Sequence, residues 1–139
     1  VGLLACQYSD GIQLKILTGD DNINFGSVYE NVVAQELYAH GFEGLYYYNS
    51  KKMGELDFVV EISGSVLPIE VKSGKNYQRH RALNNVLTCD EYNIIEAIVF
   101  CNDNVSVVGK VVYYPIYFMM FLYKEIIPDV KFSLDLKGL

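Results

Sequence analysis

Apolar residues recur at helical spacing between Ser27 and His40. Val33, Ala34 and Leu37 fall three, four and seven residues after Glu30, the intervals that stack side chains on one helical face. The spacing predicts a helix over this stretch, stopped by Gly41, with Glu30 leaning toward its apolar side. The period then shortens to two. Strands are predicted at Leu45–Tyr48, Glu55–Ile62 and Val66–Lys72, the first two separated by a Lys51-Lys52-Met53-Gly54 loop. A second helix is predicted from Gln78 to Cys89, carried by Leu83, Val86 and Leu87. The run Glu96–Cys101 reads as a buried strand. Val105–Val108 and Val111–Tyr114 read as a hairpin about Gly109-Lys110, and Pro115 opens a short terminal helix, Ile116–Glu125. Residues 1–24, with turn chemistry at Ser9-Asp10-Gly11 and Gly19-Asp20-Asp21-Asn22, read as an irregular lead-in. This order predicts one α/β domain spanning residues 1–139, its third strand, helix and fourth strand forming a right-handed crossover.

The second and third strands carry the candidate chemistry. Side chains alternate faces along a strand, so Glu70 and Lys72 share one face while Leu67, Ile69 and Val71 line the other. A type II′ turn at Gly64-Ser65 sets Ser63 opposite Val66. That register places Asp57 opposite Lys72 and diagonal to Glu70, on the same face. A one-residue slip would send Asp57 to the other side. Diagonal neighbours lie about 7–8 Å apart at Cα, close enough for two carboxylates to grip one divalent ion, and a helix packed over this face brings Glu30 to them.

Composition narrows the classes. At 139 residues, with 51% hydrophobic and 20% charged residues, the chain is a folded domain of ordinary size. Its longest uncharged run, Val111 to Tyr123, is thirteen residues and contains Pro115, short of the roughly 20 that span a membrane. Cys6, Cys89 and Cys101 form no Cys-x-x-Cys pair, and His40 and His80 are far apart, so a spaced Cys/His zinc site is not expected. Reduced thiols in a cytoplasmic protein are. The chain starts at Val1 and runs straight into apolar residues, from which we expect a piece of a longer protein. The net charge of -6 opposes non-specific nucleic-acid binding. Yet five of the thirteen Lys, Arg and His residues fall between Lys72 and Arg81, a local basic patch.

Glu30 in a leading helix, Asp57 on the second strand and Glu70-Val71-Lys72 on the third resemble the PD-(D/E)XK, or restriction-endonuclease-like, superfamily. Val1-Gly-Leu-Leu, Phe25-Gly-Ser-Val-Tyr-Glu30-Asn-Val-Val-Ala-Gln-Glu-Leu, Gly54-Glu-Leu-Asp-Phe-Val and Pro68-Ile-Glu-Val-Lys-Ser-Gly-Lys75 look like the C-terminal domain of prokaryotic AAA-type ATPases. The resemblance implies an αβββαβ core, a mixed β-sheet flanked by helices, and an ATPase module in the same polypeptide. It implies a metal-dependent nuclease-like activity on nucleic acid, DNA first. Asp57 and Glu70 would hold Mg²⁺ or Mn²⁺ through carboxylate oxygens, with the Val71 carbonyl as an extra ligand and Glu30 orienting its water. Lys72 would position the attacking water and stabilise charge on the phosphate. Lys75, Arg79 and Arg81 are the candidate nucleic-acid contacts.

The same residues also have plain structural readings. Ser27-x-x-Glu30 matches a helix capping box, Asp57 and Lys72 suit a cross-strand ion pair, and the basic run suits a solvated helix start. A module of the same fold that docks DNA or a partner without cleaving it is the alternative function.

Overall fold

The computed structural model describes Thr18 and residues 25–124. The lead-in expected over residues 1–24 lies outside that range apart from Thr18. Helix α1 runs Phe25–Ala39, and its buried residues are Val33 and Leu37. Gly41, at φ +93°, ends the helix. Its N–H bonds to the Tyr38 carbonyl while the Phe42 N–H reaches back to Leu37, a closure that needs positive φ and therefore favours glycine. Ser27 is the third residue of α1, inside the helix, so the capping-box reading of Ser27 and Glu30 does not apply.

The strands are β1 (Tyr46–Ser50), β2 (Gly54–Ile62), β3 (Ser65–Val71), β4 (Ala97–Cys101), β5 (Ser106–Val108) and β6 (Val111–Pro115). Helix α2 (Arg81–Leu87) lies between β3 and β4, and a 3-10 segment, Ile116–Phe121, follows β6. They form one six-stranded sheet in the order β1-β2-β3-β4-β6-β5. β3, β4 and β6 run parallel, and the other neighbours pair antiparallel. The fold is thus a mixed sheet flanked by helices. On β4, Ile98 and Phe100 pack with Val33 and Leu37 of α1 and with Met119. Ala97, Val99 and Cys101 of the same strand pack with Leu83 and Val86 of α2. Alternation therefore puts the two helices on opposite faces, and β3 is buried from Leu67 to Val71. Each fully buried Leu, Ile or Phe contributes roughly 1.5–3 kcal/mol relative to exposure, so the strand that carries Glu70 sits in the most strongly held layer.

Three sequence expectations are corrected. The turn between β2 and β3 is Ser63-Gly64, with φ +52° and +79°, the double positive of a type I′ turn. The Gly64 N–H donates to Glu61 Oε1 at 2.6 Å. Ile62 therefore pairs with Ser65, and Phe58 with Ile69. Relative to the expected register the strands shift by two positions, which changes partners and keeps faces. Second, α2 is seven residues long and does not start at Gln78. The Arg79 N–H closes a turn on the Asn76 carbonyl, and His80 is non-helical at φ −135° and ψ 72°, so the helix begins only after it. At its other end the Thr88 hydroxyl bonds to the Asn84 and Asn85 carbonyls. Third, the segment after Pro115 is 3-10, with Met119 its buried residue. It is anchored to the end of α1, where His40 Nδ1 donates to the Leu122 carbonyl and the Lys124 N–H to the His40 carbonyl.

Gly54, which opens β2 at φ +105°, would bring a Cβ within 2.8 Å of the Ala82 Cβ on α2. Gly54→Ala is expected to destabilise the domain by about 1–3 kcal/mol through strain and overpacking together. Gly64→Ala, equally positive in φ but with nothing within 4 Å, isolates the backbone share. Urea denaturation of the two variants separates the effects, and equal losses would rule out the close approach of β2 and α2.

Candidate functional site

The site is built on an irregularity in β2. Against β1, Tyr46 pairs with Val59 and Tyr48 with Leu56, so Asp57 and Phe58 together face Tyr47. Two residues opposite one is a β-bulge. It explains why Leu56 packs with α2 although Phe58 and Val60, of the same parity, pack with the α1 side. It also interrupts the β2–β3 ladder, whose last pair is Phe58 with Ile69. The Lys72 N–H points to β4, donating to the Phe100 carbonyl at 2.8 Å. By alternation the Val71 N–H points to β2, and there it meets a side chain: Asp57 Oδ2 accepts it at 2.7 Å. Asp57 thus closes the ladder and is held beside Glu70.

Glu70 is 5% exposed. Its Oε1 accepts from Lys72 Nζ at 2.5 Å, while Oε2 is buried with no hydrogen-bond partner. Burial drives its pKa upward and the Asp57 charge adds to that, opposed by the Lys72 hydrogen bond and charge and by the Asp57 backbone. Glu30 also titrates above the ordinary range. Burial is the largest cause, the Asp57 carboxylate next, with Glu55 adding and Lys72 opposing. Asp57 and Lys72 thus act on both glutamates, raising and lowering the proton affinity of each. Glu55 is exposed on β2.

The basic run divides. Lys75, Arg79 and Arg81 are exposed along the connection that leaves the end of β3. His80 is buried, with Nε2 2.6 Å from the Tyr113 hydroxyl, and burial lowers its pKa. It is not part of the patch. Beyond the end of β4, Asn102 Nδ2 donates to the Ser73 carbonyl at 2.9 Å and the Tyr77 hydroxyl to Asp103 Oδ2 at 2.8 Å. Sequence reasoning passed over these residues. The signal was their position, since Asn102-Asp103-Asn104 directly follows a fully apolar strand, and loops at such ends carry ligands in open α/β sheets.

Among the described residues, no group of three or more His, Cys, Asp or Glu side chains is arranged to hold a metal ion. What the structure offers is narrower. Two carboxylates on neighbouring strands, one with an unpartnered buried oxygen, suit an ion that takes one or two carboxylates and keeps its waters, as Mg²⁺ does. They do not suit a closed protein cage. No helix among the described residues is long and apolar enough to cross a membrane. Residues 25–119, about two thirds of the chain, match the family description of a domain of unknown function, DUF4143. No curated protein and no solved structure matches the chain.

Proposed function

This chain belongs to the DUF4143 family, a domain of unknown function sometimes found near AAA ATPases, and we propose that it is a metal-dependent nuclease-like domain hydrolysing nucleic-acid phosphodiester bonds. The observation that carries the reading is Glu70. A buried carboxylate with one oxygen unsatisfied is costly, and a plain cross-strand ion pair gives no reason to keep it beside a second carboxylate. The element order α1-β1-β2-β3-α2-β4 supports a restriction-endonuclease-like core. In this reading the domain is a cytoplasmic C-terminal module of an AAA-type ATPase.

Asp57 and Glu70 would hold Mg²⁺ or Mn²⁺, with the Val71 carbonyl as a further oxygen. The bound ion supplies Lewis-acid polarisation of the phosphodiester and a more acidic water. Lys72 stabilises charge gathering on the phosphate as the water oxygen bonds to phosphorus and the bond to the leaving sugar oxygen breaks. Glu30 in its ionised form orients the attacking water and takes up its proton, a role suited to a carboxylate whose proton affinity burial has raised. Lys75, Arg79 and Arg81 hold the flanking phosphates, a term that weakens with salt.

The absence of a three-ligand group among the described residues favours a second reading, a module of the same fold that docks DNA or a partner for the ATPase. The deciding experiment uses the full-length protein with Mn²⁺ on branched, nicked and single-stranded DNA and on RNA. Cleavage that chelation stops supports the nuclease. Mn²⁺ binding by calorimetry with no cleavage anywhere in the panel establishes the docking module instead.

A further inference from the structure

β3, β4 and β6 are parallel, so their carboxyl ends emerge along one edge of the sheet. Lys72 is the first residue beyond β3, Asn102 the first beyond β4, and Ile116 the first beyond β6. A cavity of about 310 Å³ opens at that edge, lined by Asn102, Asp103, Asn104, Pro115, Ile116 and Tyr117 among others. It is joined to the candidate active site through the Asn102–Ser73 hydrogen bond, Ser73 being the neighbour of Lys72. Adjacent strands are about 4.8 Å apart, so the cavity starts within a nucleotide's reach of Lys72.

Its lining selects by charge. No Lys or Arg lines it. Asp103 carries the one formal charge there, and that charge is fixed: Oδ2 accepts from Tyr77 and Oδ1 from the Asn104 N–H at 2.8 Å. These two bonds, Tyr77 first, hold its pKa below the usual range. A phosphate is repelled from such a cavity, whereas a neutral polar group is not. The remaining chemistry is two side-chain amides, that of Asn102 with one N–H already given to the Ser73 carbonyl, the apolar Pro115 and Ile116, and Tyr117, 62% exposed. Amides that match a base edge, beside an aromatic face for stacking, are how unpaired bases are recognised.

We infer that this cavity is a subsite for one unpaired nucleobase, seated on Tyr117 and read by Asn102 and Asn104. The inference rests on the nuclease reading for the polymer to which the base belongs. A base inside a duplex has its edge paired and its faces stacked, so the substrate class is a strand with an unpaired nucleotide beside the scissile phosphate.

The test uses the whole metal-free protein and a neutral probe, 2-aminopurine riboside, followed by fluorescence quenching, with inorganic phosphate as competitor. Saturable quenching is expected, indifferent to phosphate. Tyr117→Ala should weaken it about five- to a hundredfold, the worth of one stacked base, and Asn104→Ala, also at an exposed position, should weaken it too, while Lys51→Ala, in the loop between β1 and β2, leaves it unchanged. No quenching, equal affinity in the Tyr117 and Asn104 variants, or displacement by phosphate overturns the subsite. Cleavage on the nucleic-acid panel is scored separately. Nucleoside binding without cleavage keeps the subsite and removes the nuclease, and cleavage without nucleoside binding does the reverse.

Discussion

Lys72→Met should lower Mn²⁺-dependent cleavage at least ~100-fold while the domain stays folded and still binds the ion. Removing one preorganised charge that faces a developing oxyanion typically costs 10²–10³ in rate, about 2.7–4 kcal/mol. Lys72 is placed for such a role. Its backbone is fixed by the Phe100 carbonyl, its ammonium by Glu70 Oε1, and its side chain is 30% exposed, so the head reaches the surface of the site. Methionine keeps most of the stem's packing and removes only the charge. Folding should suffer little. Ion binding should hold or tighten, because the ammonium that shares Glu70 is gone. Single-turnover cleavage and Mn²⁺ calorimetry on the same preparation separate these effects. Undiminished cleavage would reduce Lys72 to a counter-ion for Glu70, and loss of both activities would make it part of the scaffold.

Parity along the strands is legible in this sequence, and position is not. Alternation along β3 separates Glu70 and Lys72 from Leu67, Ile69 and Val71, but these last three pack with α1, so the helix that carries Glu30 covers the opposite face of β3 from the one expected. Glycine opens a type II′ turn, so the sequence predicts Gly64-Ser65. The chain instead uses Ser63 at positive φ ahead of Gly64, a choice that two turn types compatible with the same residues leave open. The resulting shift is even, so the face survived while Asp57 lost Lys72 as its partner and came to lie beside Glu70. The bulge at Asp57-Phe58 was not legible at all. Nothing in Glu55-Leu-Asp57-Phe-Val marks an extra residue. What requires it is long-range, since Leu56 must reach the α2 core while Phe58 and Val60 reach the other.

Ends of elements failed for local reasons. The Leu83, Val86 and Leu87 spacing found α2, yet periodicity has no vote on where a polar lead such as Asn76-Tyr-Gln-Arg79 stops turning and becomes helix. His80 shows the same limit in its chemistry. Counted by charge it belonged with Lys75, Arg79 and Arg81. Its burial against Tyr113, a residue of β6, depends on a strand pairing that no short window of sequence contains.

Glu70→Gln should abolish stabilisation by Mn²⁺ and remove one part of the pH dependence of stability. In the metal-free protein, burial raises Glu70 and Glu30 above the ordinary glutamate value of 4.5. The folded state then binds protons more tightly than the unfolded chain, so stability is fullest below that value and falls as pH rises through the folded values. Burial lowers the His80 pKa and pulls the other way over this range, so the Glu70 share is read as a difference: metal-free wild type should gain on Glu70→Gln as pH falls from 7 to 5. An ion bound by Asp57 and Glu70 reverses this, because it competes with the same proton. At 100 times its Kd it adds about 2.7 kcal/mol, present at pH 7 and eroded toward pH 5. Glutamine has the shape of glutamate and no titration. The variant should be at least as stable as wild type without metal at pH 7, since Lys72, 30% exposed, can turn to water. It should also lose the Glu70 part of the pH slope, leaving the parts due to Glu30 and His80, and gain nothing from Mn²⁺. Melting curves at pH 5, 6 and 7, with and without Mn²⁺, read all of these effects. A Glu70→Gln protein that Mn²⁺ still stabilises as much as wild type would place the ion elsewhere. The orphaned oxygen of Glu70 would then belong to the fold and not to a reaction.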